Sequence, residues 1–139
     1  MLINITKQEI KFSEVDSLRI VWHGHYVRYF EDGREAFGKQ YGLHYLDIYK
    51  HGFAIPLVDL EVQFKRVLEY GDAACIETRF VNSPAAKIMF EYTITSATHG
   101  YVVCVGKSTQ VFMDPVTKEL HMTTPAFFKN WKEKWQMLS

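Results

Sequence analysis

The sequence predicts an α+β fold in which an antiparallel β-sheet packs against one long helix. In residues 24–41 apolar side chains recur at intervals of three and four, which is the period of a helix with one buried face. Four later segments alternate apolar and polar residues, which is the period of a strand. Because the helical and strand periods fall in separate blocks, the pattern favours α+β over an alternating parallel α/β fold.

The predicted long helix has an apolar face and a recognisable end. Gly42 is suited to a helix C-cap. Gly33 lies within the apolar face, where glycine costs about 1 kcal/mol relative to alanine, so we expect another element to pack closely against it. The face also contains several large aromatic residues, Tyr26, Tyr29, Phe30, Phe37 and Tyr41.

Strands are predicted before and after this helix. The first covers residues 5–15, and the later four cover 58–65, 74–81, 88–95 and 101–113, with one wet face on the strand 58–65. Turn sequences at 70–72, 82–84 and 99–100 separate the later strands. A helical turn is expected within 46–52, and Thr124 and Pro125 predict the N-cap and first residue of a short C-terminal helix.

The chain length of 139 residues predicts a single domain spanning residues 1–139. One sheet cannot cover both flanks of a helix whose apolar arc is this broad and this rich in aromatic residues. We therefore expect a second copy of the chain to complete the core or the site, as a homodimer or a homotetramer.

Charge and composition exclude several classes of function. Sixteen basic residues balance sixteen acidic ones, which disfavours a nucleic-acid partner. The N-terminus has neither the apolar core of a signal peptide nor the length of a membrane span, so a cytoplasmic protein is expected. Cys75 and Cys104 stand alone in apolar surroundings, which predicts reduced thiols and no disulfide.

The segment VDSLRIVWHGHYVRYFEDGR, residues 15–34, carries the chemistry. It places Asp16 in a loop that leads into the start of the long helix, where backbone N–H groups have no intrahelical acceptor. The segment resembles the 4-hydroxybenzoyl-CoA thioesterase-like branch of the hotdog superfamily, with Asp16, Val21, His23 and Tyr26 at the expected intervals. The resemblance extends over about residues 5–115 and includes the step from Phe64 to Gly71-Asp72.

This resemblance implies a hotdog fold, in which the sheet wraps around the long helix, and hydrolysis of a medium-chain or aromatic acyl-CoA or acyl-carrier-protein thioester. Asp16 would be the general base or the nucleophile. The N–H groups near His23 and Gly24 would stabilise the oxyanion. Neither a cofactor nor a metal is implied.

The resemblance also assigns substrate contacts, with two departures. Arg19 stands where many relatives have glycine, and it could contact the substrate or lower the pKa of Asp16. The paired arginines that hold the nucleotide in some relatives are absent, which leaves Lys65, Arg66 and Lys87. The expected substrate-binding residues near the helix start are Trp22, His25 and Tyr26.

Each assignment has an ordinary structural alternative. Asp16 could be a turn or cap residue, and His23 and His25 could be structural residues at the helix start. A metal site at His23-x-His25 would need a third ligand, which is not evident nearby. Glu31 and Arg34 could form a surface ion pair. The aromatic stripe of the C-terminal helix could attach to a membrane, but docking on its own domain or on a partner subunit is expected.

Two other functions remain open at this point. The chain could bind acyl thioesters without catalysis, or it could be an enoyl-CoA hydratase or dehydratase. The hydratase chemistry requires a histidine on the helix together with a carboxylate, and no matching histidine motif is present.

Overall fold

The computed structural model describes residues 1–137 as one antiparallel sheet and three helices. The strands follow the order β1-β3-β4-β5-β2, and a short strand β6 pairs with β5. The helices are α1 (His25–Tyr41), α2 (Tyr45–Lys50) and α3 (Ala126–Lys134), with a 3₁₀ turn at Phe12–Glu14. The strands are β1 (Ile3–Glu9), β2 (Leu57–Phe64), β3 (Ala73–Val81), β4 (Lys87–Ser96), β5 (Val102–Met113) and β6 (Leu120–His121). The predicted α+β class and the order of its elements are confirmed.

Helix α1 packs against β1, β3 and β4 through the face that the sequence predicted. Its buried residues include Tyr29, Phe30 and Phe37. A Cβ atom added at Gly33 would lie 2.4 Å from Thr78 Oγ1 and 2.7 Å from an Ile76 methyl group. The expected close approach at Gly33 is therefore confirmed, and only glycine allows the helix to lie this near β3.

Strand β2 departs from the expectation of one wet face. It forms one edge of the five-strand series, and Val58 and Phe64 are 55% and 54% exposed although both belong to its apolar side. The central strands β3 and β4 do alternate buried and half-buried residues as predicted. The difference follows from position, because a terminal strand has a neighbour on one side only and nothing within residues 1–137 covers its outer part.

The first strand is shorter than predicted. It ends at Glu9, and the chain then turns through Phe12–Glu14 instead of continuing as a strand to Val15. The Glu14 carboxylate closes this turn by accepting a hydrogen bond from the Lys11 N–H at 2.6 Å. A local contact between a side chain and the backbone thus overrides the apolar pattern of this segment.

The C-terminal helix docks on its own chain. Phe128 is fully buried, and the indole N–H groups of Trp131 and Trp135 both donate to the Tyr41 carbonyl oxygen, at 2.7 and 3.1 Å. That carbonyl belongs to the last turn of α1, where no intrahelical donor remains. The helix begins at Ala126 with Pro125 as its N-cap, one residue later than the predicted cap at Thr124.

Two further features concern the cysteines and the helices. Neither Cys75 nor Cys104 forms a disulfide, and burial raises the pKa of the Cys104 thiol to about 11. Within residues 1–137, no helix is both long enough and apolar enough to span a membrane.

Candidate active site

The loop that carries Asp16 is a small hairpin whose base adjoins the start of α1. Val15 pairs with Val21, and the Asp16 N–H donates to the Ile20 carbonyl oxygen at 2.9 Å. The Trp22 N–H donates to the Glu14 carbonyl oxygen at 3.0 Å. These bonds fix Asp16 on the strand opposite the residues that enter the helix, so the loop and the helix start form one structural unit.

The Asp16 carboxyl group is exposed in the single chain. Its Oδ1 atom accepts a hydrogen bond from the Leu18 N–H at 2.8 Å, while the Arg19 N–H donates to the Asp16 carbonyl oxygen at 2.9 Å. No hydrogen bond to Oδ2 is formed by residues 1–137. One carboxylate oxygen therefore holds the turn, and the other is available to a water molecule or a substrate.

The start of α1 presents unpaired backbone donors. Gly24 is the N-cap, and no side chain of residues 1–137 caps this end of the helix. The N–H groups of His25 and Tyr26 donate to the carbonyl oxygens of Trp22 and His23. Within the described chain, the N–H groups of His23 and Gly24 have no acceptor, and they carry the positive end of the helix dipole.

Trp22 covers the helix start at Gly24. A Cβ atom at Gly24 would lie 2.1 Å from Cζ3 of the Trp22 indole, so the ring rests directly on the glycine backbone. The ring is nevertheless 52% exposed. Only glycine allows this contact, and the outer face of the indole is free for a ligand.

Four aromatic rings surround these donors. The Trp22 ring centroid lies 5.0 Å from that of His23 and 5.5 Å from that of His25. The His23 ring meets Phe64 of β2 edge to face at 6.2 Å. We call Trp22, His23, His25 and Phe64 the helix-start cluster. Because Trp22, His23 and Phe64 are exposed, the cluster is an aromatic surface next to the unpaired N–H groups of the helix start.

The backbone at Arg19 has a conformation that suits glycine. Arg19 has a φ angle of 65°, in the left-handed region that glycine adopts without strain. Its carbonyl oxygen accepts a hydrogen bond from the Tyr70 N–H at 3.2 Å, which ties the turn to the segment before β3. The arginine therefore keeps the loop geometry and adds an exposed cation beside Asp16.

The three candidate phosphate-binding cations are not brought together in one chain. The N–H groups of Lys65 and Arg66 both donate to the Val103 carbonyl oxygen, and the Arg66 guanidinium lies 4.8 Å from the centre of the Tyr101 ring. Lys87 pairs instead with Val111. Eight residues of strand separate Val103 from Val111, a distance of about 27 Å at ~3.4 Å per residue. Within one chain, Lys87 is therefore too far from Lys65 and Arg66 to contact the same phosphate group.

The predicted contact of Tyr26 with the substrate requires a correction. It is 3% exposed, and its hydroxyl oxygen accepts a hydrogen bond from the Leu68 N–H at 3.3 Å. Burial raises the pKa of this hydroxyl. Tyr26 thus joins α1 to the segment before β3 from within the core, and its ring is not open to a substrate.

Sequence reasoning missed the ion pair between Glu14 and Arg28. The Glu14 side chain is 3% exposed, and its Oε2 atom pairs with the Arg28 guanidinium in the first turn of α1. One signal was available, because a cation near a helix N-terminus is unfavourable unless an anion compensates it. The pair joins the residues just before Asp16 to the first turn of α1.

Two further candidate interactions are an ion pair between Glu31 and Arg34 and a metal site at His23 and His25. Glu31 and Arg34 form the ion pair that the sequence left open. Among residues 1–137, no group of three histidine, cysteine or acidic side chains is arranged to hold a metal ion, so His23 and His25 gain no third ligand.

Comparison with known proteins identifies the family of the chain. The model of the thioesterase-like superfamily matches residues 10–132. A putative acyl-CoA thioesterase of Bacillus subtilis, YneP, is 33% identical over 94 residues, which are 66% of this chain and 68% of that protein.

Solved structures show the same fold. The DHNA-CoA thioesterase of Staphylococcus aureus superposes with a TM-score of 0.86 at 24% identity, over 98% of this chain and 90% of that one. The 4-hydroxybenzoyl CoA thioesterase of Pseudomonas sp. strain CBS-3 gives 0.81 at 20% identity, over 94% and 99%. These likenesses confirm the hotdog fold. The family match over residues 10–132 and the 33% identity with YneP show that the chain belongs to the thioesterase-like superfamily.

Proposed function

We propose that the protein hydrolyses acyl-CoA thioesters at the start of α1, with Asp16 as the catalytic carboxylate. The proposal is carried by two features of residues 1–137: the His23 and Gly24 N–H groups have no acceptor there, and the adjoining loop presents an Asp16 carboxylate oxygen with no partner there. Membership of the thioesterase-like superfamily, and a relative named as a putative acyl-CoA thioesterase, support the same reaction.

The reaction needs few protein groups. The N–H groups of His23 and Gly24 bind the thioester carbonyl oxygen and stabilise the oxyanion that forms, which contributes about 3 kcal/mol per donor in comparable sites. Asp16 takes a proton from the attacking water. The tetrahedral intermediate collapses by breaking the C–S bond, and because thiols ionise near pH ~8.5 the CoA thiolate leaves without a dedicated acid. Asp16 then returns its proton to the thiolate.

Asp16 could instead attack the carbonyl carbon directly. This route gives a mixed anhydride with the Asp16 carboxylate and releases CoA first, after which water cleaves the anhydride. One turnover in water enriched in heavy oxygen separates the routes. Water attack on the thioester labels only the product acid, whereas hydrolysis of the anhydride at the Asp16 carbonyl labels the protein.

The proposal includes a homodimer. Asp16, Trp22 and Phe64 are exposed in the single chain, and β2 has an open edge. A second copy placed against β2 would cover this surface, exclude water from the thioester and bring a distant cation such as Lys87 to the nucleotide. The proposal also covers larger assemblies built from this dimer, including a tetramer. It covers thioesters of acyl carrier protein as substrates of the same site.

A thiol-release assay over a panel of acyl-CoAs tests the reaction. We expect turnover by the wild-type protein and a fall of about 10²- to 10⁴-fold in kcat for Asp16→Asn, which keeps the turn but lacks the base. Asp114→Asn is the matched control, because Asp114 also caps a turn, by accepting hydrogen bonds from the Val116 and Thr117 N–H groups, and lies in the β5–β6 turn.

Three results would contradict the proposal. Equal rates for the wild-type protein and Asp16→Asn would remove Asp16 from the chemistry. Saturable acyl-CoA binding without thiol release would identify a binding module, and loss of the crotonyl-CoA chromophore without thiol release would identify a hydratase.

A further inference from the structure

A groove of about 410 Å³ lies away from the helix start, between α1, α2 and the inner face of β4 and β5. We call it the α1–α2 groove. Its size is within the range of small-molecule sites. The apolar part of its wall consists mainly of Leu43, Ile48, Phe53, Ile88 and Phe90.

The groove contains a buried amide with an unused acceptor. Gln110 is 2% exposed, and its Nε2 atom donates to the Ile55 carbonyl oxygen at 2.8 Å. This bond fixes the amide orientation, because only the nitrogen can donate to a carbonyl oxygen. The Oε1 atom is buried and has no hydrogen-bond partner in the described chain. An unpaired buried carbonyl is costly, so the site favours a ligand with a donor.

Two unused donors line the same groove. The His44 Nδ1 atom accepts the Leu46 N–H at 3.3 Å, which leaves the proton of the neutral ring on Nε2. Nε2 is buried and has no partner within residues 1–137. The Nη1 atom of Arg34 is also buried without a partner in this part of the chain, while Nη2 pairs with Glu31.

These groups are held near one another by the fold. Arg34 and Gly38 are four residues apart and lie on one side of α1. A Cβ atom at Gly38 would lie 2.8 Å from the Cα of His44, so the His44 backbone packs on the helix one turn beyond Arg34. Gln110 faces the groove from β5, directly beside Ile88 in the strand register.

The unused groups match a hydroxyl. A hydroxyl donates one hydrogen bond and accepts two, which corresponds to one free acceptor on Gln110 and two free donors on His44 and Arg34. A carboxylate fits less well, since Glu31, Asp32 and Glu35 also line the groove and outnumber its single arginine. The groove is therefore suited to an apolar ligand with a neutral hydroxyl.

The position of the groove sets the length of this ligand. Arg34 lies eleven residues beyond His23, which is about 16 Å along the helix at ~1.5 Å per residue. We propose that the α1–α2 groove binds the distal hydroxyl of an ω-hydroxylated alkyl acyl chain whose thioester lies at the helix start. This assignment of a substrate class rests on the proposed thioester hydrolysis.

Paired substrates test the inference. We expect the wild-type protein to hydrolyse ω-hydroxylauroyl-CoA with a kcat/KM about tenfold or more above that for lauroyl-CoA, as one well-placed hydrogen bond gives. Gln110→Leu should abolish the preference. His44→Asn is a second variant that protects against misfolding, because asparagine is a good N-cap for α2 but lacks the Nε2 donor. His51→Asn, outside the groove at the other end of α2, is the control.

Binding separates this inference from the proposed reaction. Calorimetry compares ω-hydroxylaurate with laurate on the wild-type protein and on His44→Asn. Tighter binding of the hydroxy acid that is lost in His44→Asn supports the groove assignment, even if no thioester is cleaved and the hydrolase proposal fails. Thioester turnover with no hydroxyl preference in rate or binding overturns the groove assignment alone. A preference for 4-hydroxybenzoyl-CoA that depends on His44 also overturns it, because that hydroxyl lies too close to its thioester.

Discussion

Glu14 and Arg28 form an ion pair that joins the loop carrying Asp16 to the first turn of α1. The two partners are unequally buried, since the Glu14 side chain is 3% exposed and that of Arg28 is 47% exposed. The loss of Arg28 and the loss of Glu14 therefore have different consequences, because only the Arg28 guanidinium can be hydrated when its partner is removed.

We expect Arg28→Gln to lower the free energy of unfolding by about 1–3 kcal/mol, because it leaves a buried carboxylate without its cation. Glu14→Gln should cost less, about 1 kcal/mol or below, since Arg28 can be solvated and glutamine can still accept the Lys11 N–H. Urea unfolding of both variants measures the difference. Equal losses, or a larger loss for Glu14→Gln, would show that the pair does not fix the loop in this way.

Arg19→Gly should leave the fold intact. The φ angle of 65° at Arg19 suits glycine, so the relief of backbone strain offsets the greater entropy of the unfolded chain, and we expect a change within about 1 kcal/mol. Arg19→Val should cost about 1–2 kcal/mol because a β-branched residue resists this conformation. Thermal or urea unfolding compares the two, with Lys118→Gly, at the same φ and remote from the site, as the control.

The same Arg19→Gly variant tests the role of the cation. If the guanidinium contacts the substrate, the KM for acyl-CoA rises while kcat is retained. If it acts on the Asp16 carboxylate, the pH dependence of kcat shifts instead. A variant indistinguishable from the wild type in both measurements would leave Arg19 without a function in the reaction.

The lowered pKa of the Asp72 carboxyl group predicts a loss of stability in acid. Burial alone would raise the pKa of its carboxyl group, but hydrogen bonds from the Ser96 hydroxyl and from the Ala73 and Thr98 N–H groups outweigh burial and lower the pKa to about 2. Because the folded-state pKa lies below the ordinary value of 3.8, this stabilisation is fully present above about pH 4 and is lost as the pH falls through about 2.

We therefore expect Asp72→Asn to lower the free energy of unfolding by on the order of 2 kcal/mol at neutral pH. The difference from the wild type should shrink as the pH approaches 2. Urea titrations at a series of pH values measure this convergence, and Ser96→Ala, which removes one of the donors, should give a smaller effect of the same sign. A difference independent of pH would contradict the assignment.

Trp131 and Trp135 share one acceptor, the Tyr41 carbonyl oxygen. Either indole alone can satisfy that carbonyl, so Trp135→Phe should cost about 1 kcal/mol or less. The double variant with Trp131→Phe should lose more than the sum of the two single variants, because it leaves the carbonyl at the end of α1 without a donor. A double-mutant cycle from urea unfolding measures the coupling, and strict additivity would refute it.

Much of the fold could be predicted because its elements have strong local patterns. The apolar face of α1, the C-cap at Gly42 and the alternation in β3 and β4 follow from periodicity and from glycine's conformational freedom. The end of β1 could not be predicted, since it depends on a hydrogen bond between Glu14 and Lys11 that no periodicity reveals. The exposure of Val58 and Phe64 depends likewise on the place of β2 in the sheet.

The sequence alone determined the chemical inventory of the candidate site, which is a carboxylate at Asp16, a helix start at Gly24 and an unusual Arg19 between them. It did so because residue type and local spacing are properties of neighbours along the chain. Only the tertiary structure decided that Tyr26 is buried, that Lys87 lies far from Lys65, and that Arg34, His44 and Gln110 line one groove. These relations join residues distant in sequence, and they exist only once the sheet register and the packing of α1 are fixed.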